Sequence, residues 1–220
     1  GTLTIATTHT QARYVLPPVI KRFTARYPKV KLILRQGSPT QISTLVTSGE
    51  ADVAIATEAI DQFHELILLP CYQWNRCIVV PPKHSLLKLK KLTLEAINQY
   101  PIITYDFAFT GRSKINQAFE SRGLEPNVVL TAIDSDVIKT YVELGLGIGI
   151  LANMAFDAKR DKNLRSIDAS HLFEPSTTRI GISRNTYLRG YIFDFIEMFA
   201  PHLNHANIQA KLDNSETDTV

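Results

Sequence analysis

Residues Thr4–Pro17 read T-I-A-T-T-H-T-Q-A-R-Y-V-L-P, a β-type run that breaks into hydroxyls and an amide where a helix begins. Thr2 to Ala6 alternates as a strand does, while Val15, Val19, Ile20 and Phe23 recur at helical spacing. The polar patch Thr8 to Gln11 therefore falls on a strand-to-helix turn. Such a turn aims free backbone N–H groups and the positive end of the helix dipole past the strand end, which suits a small anion or carboxylate. Thr8, Thr10 and Gln11 add side-chain donors there without adding charge. One threonine at such a place reads most simply as an N-cap. Consecutive polar residues shift the reading toward a ligand.

The arrangement repeats outward from that turn. Val30–Gln36 (V-K-L-I-L-R-Q) predicts a second strand, followed by Gly37, Ser38 and Pro39 and a helix through Ile42, Leu45 and Val46. Glu50–Glu58 (E-A-D-V-A-I-A-T-E) predicts a short apolar third strand ending at Thr57. Three strands that each end in hydroxyl-bearing residues, joined by two helices, describe a βαβαβ unit. Parallel strand ends cluster in such a unit, so Thr8, Ser38 and Thr57 are expected to face one crevice.

The middle of the chain repeats the class. A strand over Arg76–Val80 leads to a helix near Leu94–Asn98, and a strand-like Pro101–Tyr105 leads through Thr110, Gly111 and Ser113 to a helix carrying Ile115, Ala118 and Phe119. Val128–Ala132 predicts another strand, and Asp134 to Asp136 cap a helix with Val137, Ile138, Tyr141 and Val142 on one face. Asp168–Phe173 and Ser176–Ser183 are expected to return the chain to the first unit, and Tyr191–Phe199 predicts a last amphipathic helix. From Asn204 the residues are mostly polar and read as a frayed tail.

Composition narrows the function classes. The 220 residues are 45% hydrophobic and 20% charged, with a net charge of +3, which fits a globular α/β chain of one large or two small domains. No long basic run marks a nucleic-acid binder, and no apolar stretch reaches the roughly 18 residues of a spanning helix. No secretory signal is present, and a chain opening on Gly1 reads as a fragment. Cys71 and Cys77 flank a β-like run that would hold them about 20 Å apart if extended, beyond disulfide reach, and their pattern fits a reducing compartment. Gly145, Gly147 and Gly149 in E-L-G-L-G-I-G-I-L follow a helix and precede a strand, the reverse of a dinucleotide loop, so Gly145 is read as a helix C-cap and the others as sites of close packing. No G-x-S-x-G elbow or catalytic triad is recognisable, His202 and His205 read as solvated side chains rather than metal ligands, and His9 is a lone histidine in the candidate site.

Six segments together carry a family resemblance. They are G-T-L-T-I-A-T-T-H-T-Q-A-R-Y, Q-G-S-P-T-Q-I, G-E-A-D-V-A-I-A-T-E, F-T-G-R-S, D-S-D-V-I-K-T-Y-V-E-L-G-L-G-I-G and M-F-A-P-H-L. The chain resembles, from Gly1 to about Leu203, the effector-binding domains of LysR-type transcriptional regulators of the CysB and Cbl branch, which govern sulfur assimilation and cysteine biosynthesis. T-T-H-T-Q-A-R-Y marks that branch, and P-C-Y-Q-W-N-R lies nearer its CysB side. The winged helix-turn-helix and linker helix that members carry ahead of this domain are expected to be absent from the chain.

The resemblance implies two Rossmann-like α/β subdomains joined by two crossing strands, the type 2 periplasmic-binding-protein fold, with the ligand in the cleft between them. Subdomain I would hold residues 1–73 and 174–220, with 204–220 as the frayed tail, and subdomain II residues 74–173. By motif, Thr8, Thr10, Gln11, Thr57, Trp74 and Thr110 are the expected ligand contacts, and Ser38 joins them from the strand-end argument. The resemblance further implies sulfate or thiosulfate, or N-acetylserine formed from O-acetylserine, as ligand. It implies no cofactor, metal or enzymatic activity, a cytoplasmic location and no membrane contact. DNA would be reached only through the absent N-terminal domain, with effector domains dimerising within a homotetramer. A periplasmic oxyanion-binding protein of a transporter is the alternative.

Overall fold

The computed structural model describes residues 1–57, 63–107 and 112–217. The chain forms two compact units, one from Gly1–Gln73 with Thr177–Val220 and the other from Trp74–Ser176.

In the first unit, strands β1 (Thr2–Thr7), β2 (Lys31–Gln36) and β3 (Val53–Ala56) alternate with helices α1 (Leu16–Arg26) and α2 (Pro39–Thr47). β4 (Leu66–Trp74) and β10 (Ser176–Ser183) complete a five-stranded sheet in the order β2-β1-β3-β10-β4. β1 runs parallel to β2 and to β3, while β10 pairs antiparallel with β3. Successive side chains of a strand face opposite ways, and both faces here are covered. Leu3 and Ile5 pack with Leu16, Val19 and Phe23 of α1 and with Phe195 and Ile196 of α6 (Gly190–Phe199). Ala6 packs on the other side with Ile42 and Val46 of α2. Pro70 is tolerated in β4 because that strand lies at the sheet edge.

Beyond Asn204 the structure departs from the sequence reading. Residues His205–Thr217 form a helix, α7, in place of a frayed tail. Asn204 starts it, its Oδ1 accepting from the Asn207 N–H at 2.9 Å, and Ile208 is wholly buried in the core of the first unit. His205 lies flat on Phe193 with ring centroids 3.8 Å apart, and His202 donates to the Pro70 carbonyl at 2.8 Å; both residues remain exposed, as the sequence reading has them.

The second unit contains a sheet in the order β7-β6-β8-β5-β9, formed by β5 (Arg76–Val80), β6 (Ile102–Tyr105), β7 (Val128–Ala132), β8 (Ile148–Ala152) and β9 (Arg165–Asp168). Helices α3 (Leu94–Ile97), α4 (Arg112–Ser121) and α5 (Ser135–Glu143) connect them. Ile115 and Phe119 of α4 join Ile78, Ile102 and Ile150 in its core. Of Asp168–Phe173, expected to help return the chain to the first unit, only Asp168 is strand, at the end of β9, where its carboxylate accepts from the Ser170 hydroxyl at 2.8 Å. β9 pairs with β5 inside the second unit, and Ser176–Ser183, as β10, carries the chain into the sheet of the first as expected.

The glycine run has the structural role expected of it. Gly145 ends α5 at a φ of 79°, a backbone angle open to glycine at little cost. At Gly147 a Cβ would stand 2.6 Å from the Pro101 carbonyl oxygen, so only glycine lets the start of β8 approach β6 this closely.

Candidate functional site

Strand register assembles the candidate site in the first unit. Thr7 lies opposite Gln36 on one side and Ile55 on the other, so three parallel strands end at one level. The residues just beyond that level are Thr8, Gly37 with Ser38, and Thr57. Strands about 4.8 Å apart place these three ends side by side. The Thr7 hydroxyl donates to the Ile55 carbonyl at 3.0 Å and fastens two of the strand ends together.

Helical backbone begins at His9, and residues Gln11–Val15 form a π-helical turn that runs into α1. Thr10 has helical backbone angles and its side chain makes no capping hydrogen bond, so ordinary N-capping does not account for it. The Thr8 carbonyl accepts from the Ala12 N–H at 3.2 Å, which opens the helix. Ser38 is a cap. Its hydroxyl accepts from the Gln41 N–H at 3.3 Å and its own N–H donates to the Gln41 side chain at 2.8 Å, a capping box. Thr57 is buried.

Gln11 is 1% exposed and engaged on both sides of its amide. Its Oε1 accepts from the Tyr72 hydroxyl at 2.7 Å, and its Nε2 donates to the Thr178 hydroxyl at 3.3 Å. Burial pushes the Tyr72 phenol above its ordinary value, an effect countered by its hydrogen bonds with Thr178 and Gln11. Tyr72 and Thr178 escaped the sequence reading. The hydroxyl run Ser176–Thr178 at the start of β10 was the available signal, since an antiparallel neighbour of β3 must enter the sheet at the edge where the parallel strands leave it.

Trp74 ends β4 and is 9% exposed, with the Arg76 guanidinium 4.6 Å from its ring centroid. Arg76 is wholly buried. It donates through Nη1 to the Glu174 carbonyl at 3.0 Å and through Nη2 to the Ser176 hydroxyl at 2.5 Å. Thr110 lies outside the described residues. Two residues on in the sequence, Arg112 opens α4, donates to the Tyr105 carbonyl at 2.9 Å and stands 4.3 Å from the Phe107 ring centroid. Burial lowers the pKa of Arg112, and Asp106 opposes that effect. In the same unit Asp134 caps α5, accepting from the Val137 N–H at 2.9 Å.

Within the first unit, then, Thr8, Thr10, Gln11, Ser38 and Thr57 gather at one sheet edge. Trp74 belongs to the second unit. The stretches Thr8–Gln11 and Gly37–Gln41 bring hydroxyls, amides and helix starts without a lysine or arginine. Such a set can hold an anion by neutral donors.

A mixed α/β chain of two units, with parallel strand ends and helix starts gathered as donors, has the architecture of a small-molecule-binding domain. The chain matches the LysR substrate binding domain over residues 1–204, and it belongs to that family. It is 58% identical to the HTH-type transcriptional regulator SsuR of Burkholderia cenocepacia, over 96% of this chain and 69% of that protein. It is 54% identical to the HTH-type transcriptional regulator CysB of the same organism, over 96% of this chain and 68% of that one. The solved cofactor-binding domain of the Cbl transcriptional regulator matches with a TM-score of 0.93 at 45% identity, covering 96% of this chain and 93% of its own. The fold is therefore that of LysR effector-binding domains, the type 2 periplasmic-binding-protein class, and the family is regulatory and non-enzymatic. These relatives do not favour the transporter alternative. No helix among the described residues is long and apolar enough to cross a membrane.

Proposed function

We propose that this domain is the sensing part of a cytoplasmic regulator of sulfur assimilation and cysteine biosynthesis. Its ligand is a small anion, either sulfate or thiosulfate or the carboxylate-bearing N-acetylserine or its precursor O-acetylserine. The observation that carries the proposal is the shared level of three parallel strand ends, which brings Thr8, Ser38 and Thr57 together beside the helix start at Thr10 and Gln11. By the family resemblance alone, Trp74 and Thr110 are proposed as ligand contacts as well. Charge-assisted hydrogen bonds contribute about 1.5–3 kcal/mol each, so about five offset the ordering cost and leave micromolar affinity, near −8 kcal/mol. Neutral donors also spare the empty site an unpaired buried cation. Effector binding shifts the regulator between states that differ in how DNA-binding domains are presented, within a homotetramer in which effector domains pair.

Calorimetry with sulfate tests the site. Thr10→Ala and Thr110→Ala are each expected to weaken binding by about 1–3 kcal/mol, roughly five- to a hundredfold. Unchanged affinity in both variants would place the anion elsewhere.

A further inference from the structure

The ligand-side turn of the first unit is tied to both strands that carry the chain between units, and one side chain makes the tie. Gln11 opens the π-helical turn and bonds Tyr72 of β4 and Thr178 of β10, residues 61 and 167 positions away. The three form a closed set, since Tyr72 and Thr178 also bond each other. A π turn is rare and is held by its surroundings. Its relaxation to α geometry would shift the residues before it by one position and carry the Gln11 amide away from both hydroxyls.

The same two segments are joined again a few residues on, inside the second unit. Asn75 Nδ2 donates to the Phe173 carbonyl at 2.8 Å, and Arg76 reaches Glu174 and Ser176. Cross-linked at both places, a displacement of one strand is a displacement of the other.

We propose that Gln11, Tyr72 and Thr178 form a relay that passes occupancy of the Thr8–Thr10 turn to both connecting strands, with Tyr72 and Thr178 as positioning residues that do not touch the ligand. The relay rests on the effector site proposed above. An anion held by the turn draws its N–H groups and helix start toward the charge. Gln11 belongs to that helix start, and its amide offers its oxygen to one strand and its nitrogen to the other. Any rotation of the amide alters both bonds together, so the strands respond as a pair.

Trp74 is the only tryptophan in the chain and stands two residues beyond Tyr72 on β4; because it is also a proposed ligand contact, the emission change that both variants keep reports that contact and the part they lose reports the strand. Sulfate is titrated into the chain and into the Tyr72→Phe and Thr178→Val variants, reading calorimetric heat and Trp74 emission on the same samples, with thermal unfolding as the check on folding. Wild type is expected to show a saturable emission change that follows the heat. Both variants should bind sulfate within about threefold of wild type while losing more than half of the emission change. A purely structural role would lower affinity or stability and response together. Wild type that gives neither heat nor emission change sinks the effector site and the relay with it. Heat without an emission change in wild type, or a full emission change in both variants, sinks the relay and leaves the site standing.

Discussion

The Cys71 thiol is pushed up to about 12 and the Cys77 thiol to about 11, in both cases chiefly by burial. Both are free thiols. The unfolded chain releases these protons near the ordinary value of 9.0 while the folded chain keeps them. The stabilisation is therefore complete below that pH and is lost as pH rises through the folded values. Urea midpoints are expected to hold up to about pH 8.5 and to fall by about pH 10.5, with a shallower fall in Cys71→Ala. An identical fall in that variant would assign the loss to other groups. Protonated thiols are also poor nucleophiles, so alkylation of the native chain at neutral pH should be slow.

Among the elements, α7 shows where sequence reading gave out. Its residues, H-A-N-I-Q-A-K-L-D-N-S-E-T, are mostly polar, and only a partner surface reveals that Ile208 is wholly buried. Ile208→Ala is expected to cost about 2–4 kcal/mol, seen as a lowered urea midpoint. A change below about 0.5 kcal/mol would return α7 to the frayed tail that its composition implies. β1, β2 and β3 were legible because period-two apolar runs broke at glycine, proline and hydroxyl residues, and their parallel order followed from the helices between them. The π turn was not, because the apolar spacing that marks α1 continues through it with little change. Nor was the Gln11, Tyr72 and Thr178 set, because a hydrogen bond spanning 167 positions leaves no local pattern. The strand-end argument put Ser38 beside Thr8 and Thr57 at the strand ends, and the structure adds that its hydroxyl already serves as a cap.

At the scale of the whole molecule, the second unit is one continuous stretch, Trp74–Ser176, whereas the first is built from both ends of the chain. β3 has β1 on one side and β10 on the other, with Ala56 opposite Arg179. A chain stopped after Ser176 is expected to keep Trp74–Ser176 resistant to limited proteolysis while Gly1–Gln73 is digested; protection of both would show that β1, β2 and β3 hold together without β10. The order of synthesis then matters. Domains usually fold as they emerge, N-terminal first, yet the strands bearing the proposed effector donors leave the ribosome well before β10 and must wait for it. During that interval the V-A-I-A edge of β3 stands open to other chains. The nascent protein is thus most exposed to misassociation, and most in need of a chaperone, over the same strands that later recognise the ligand.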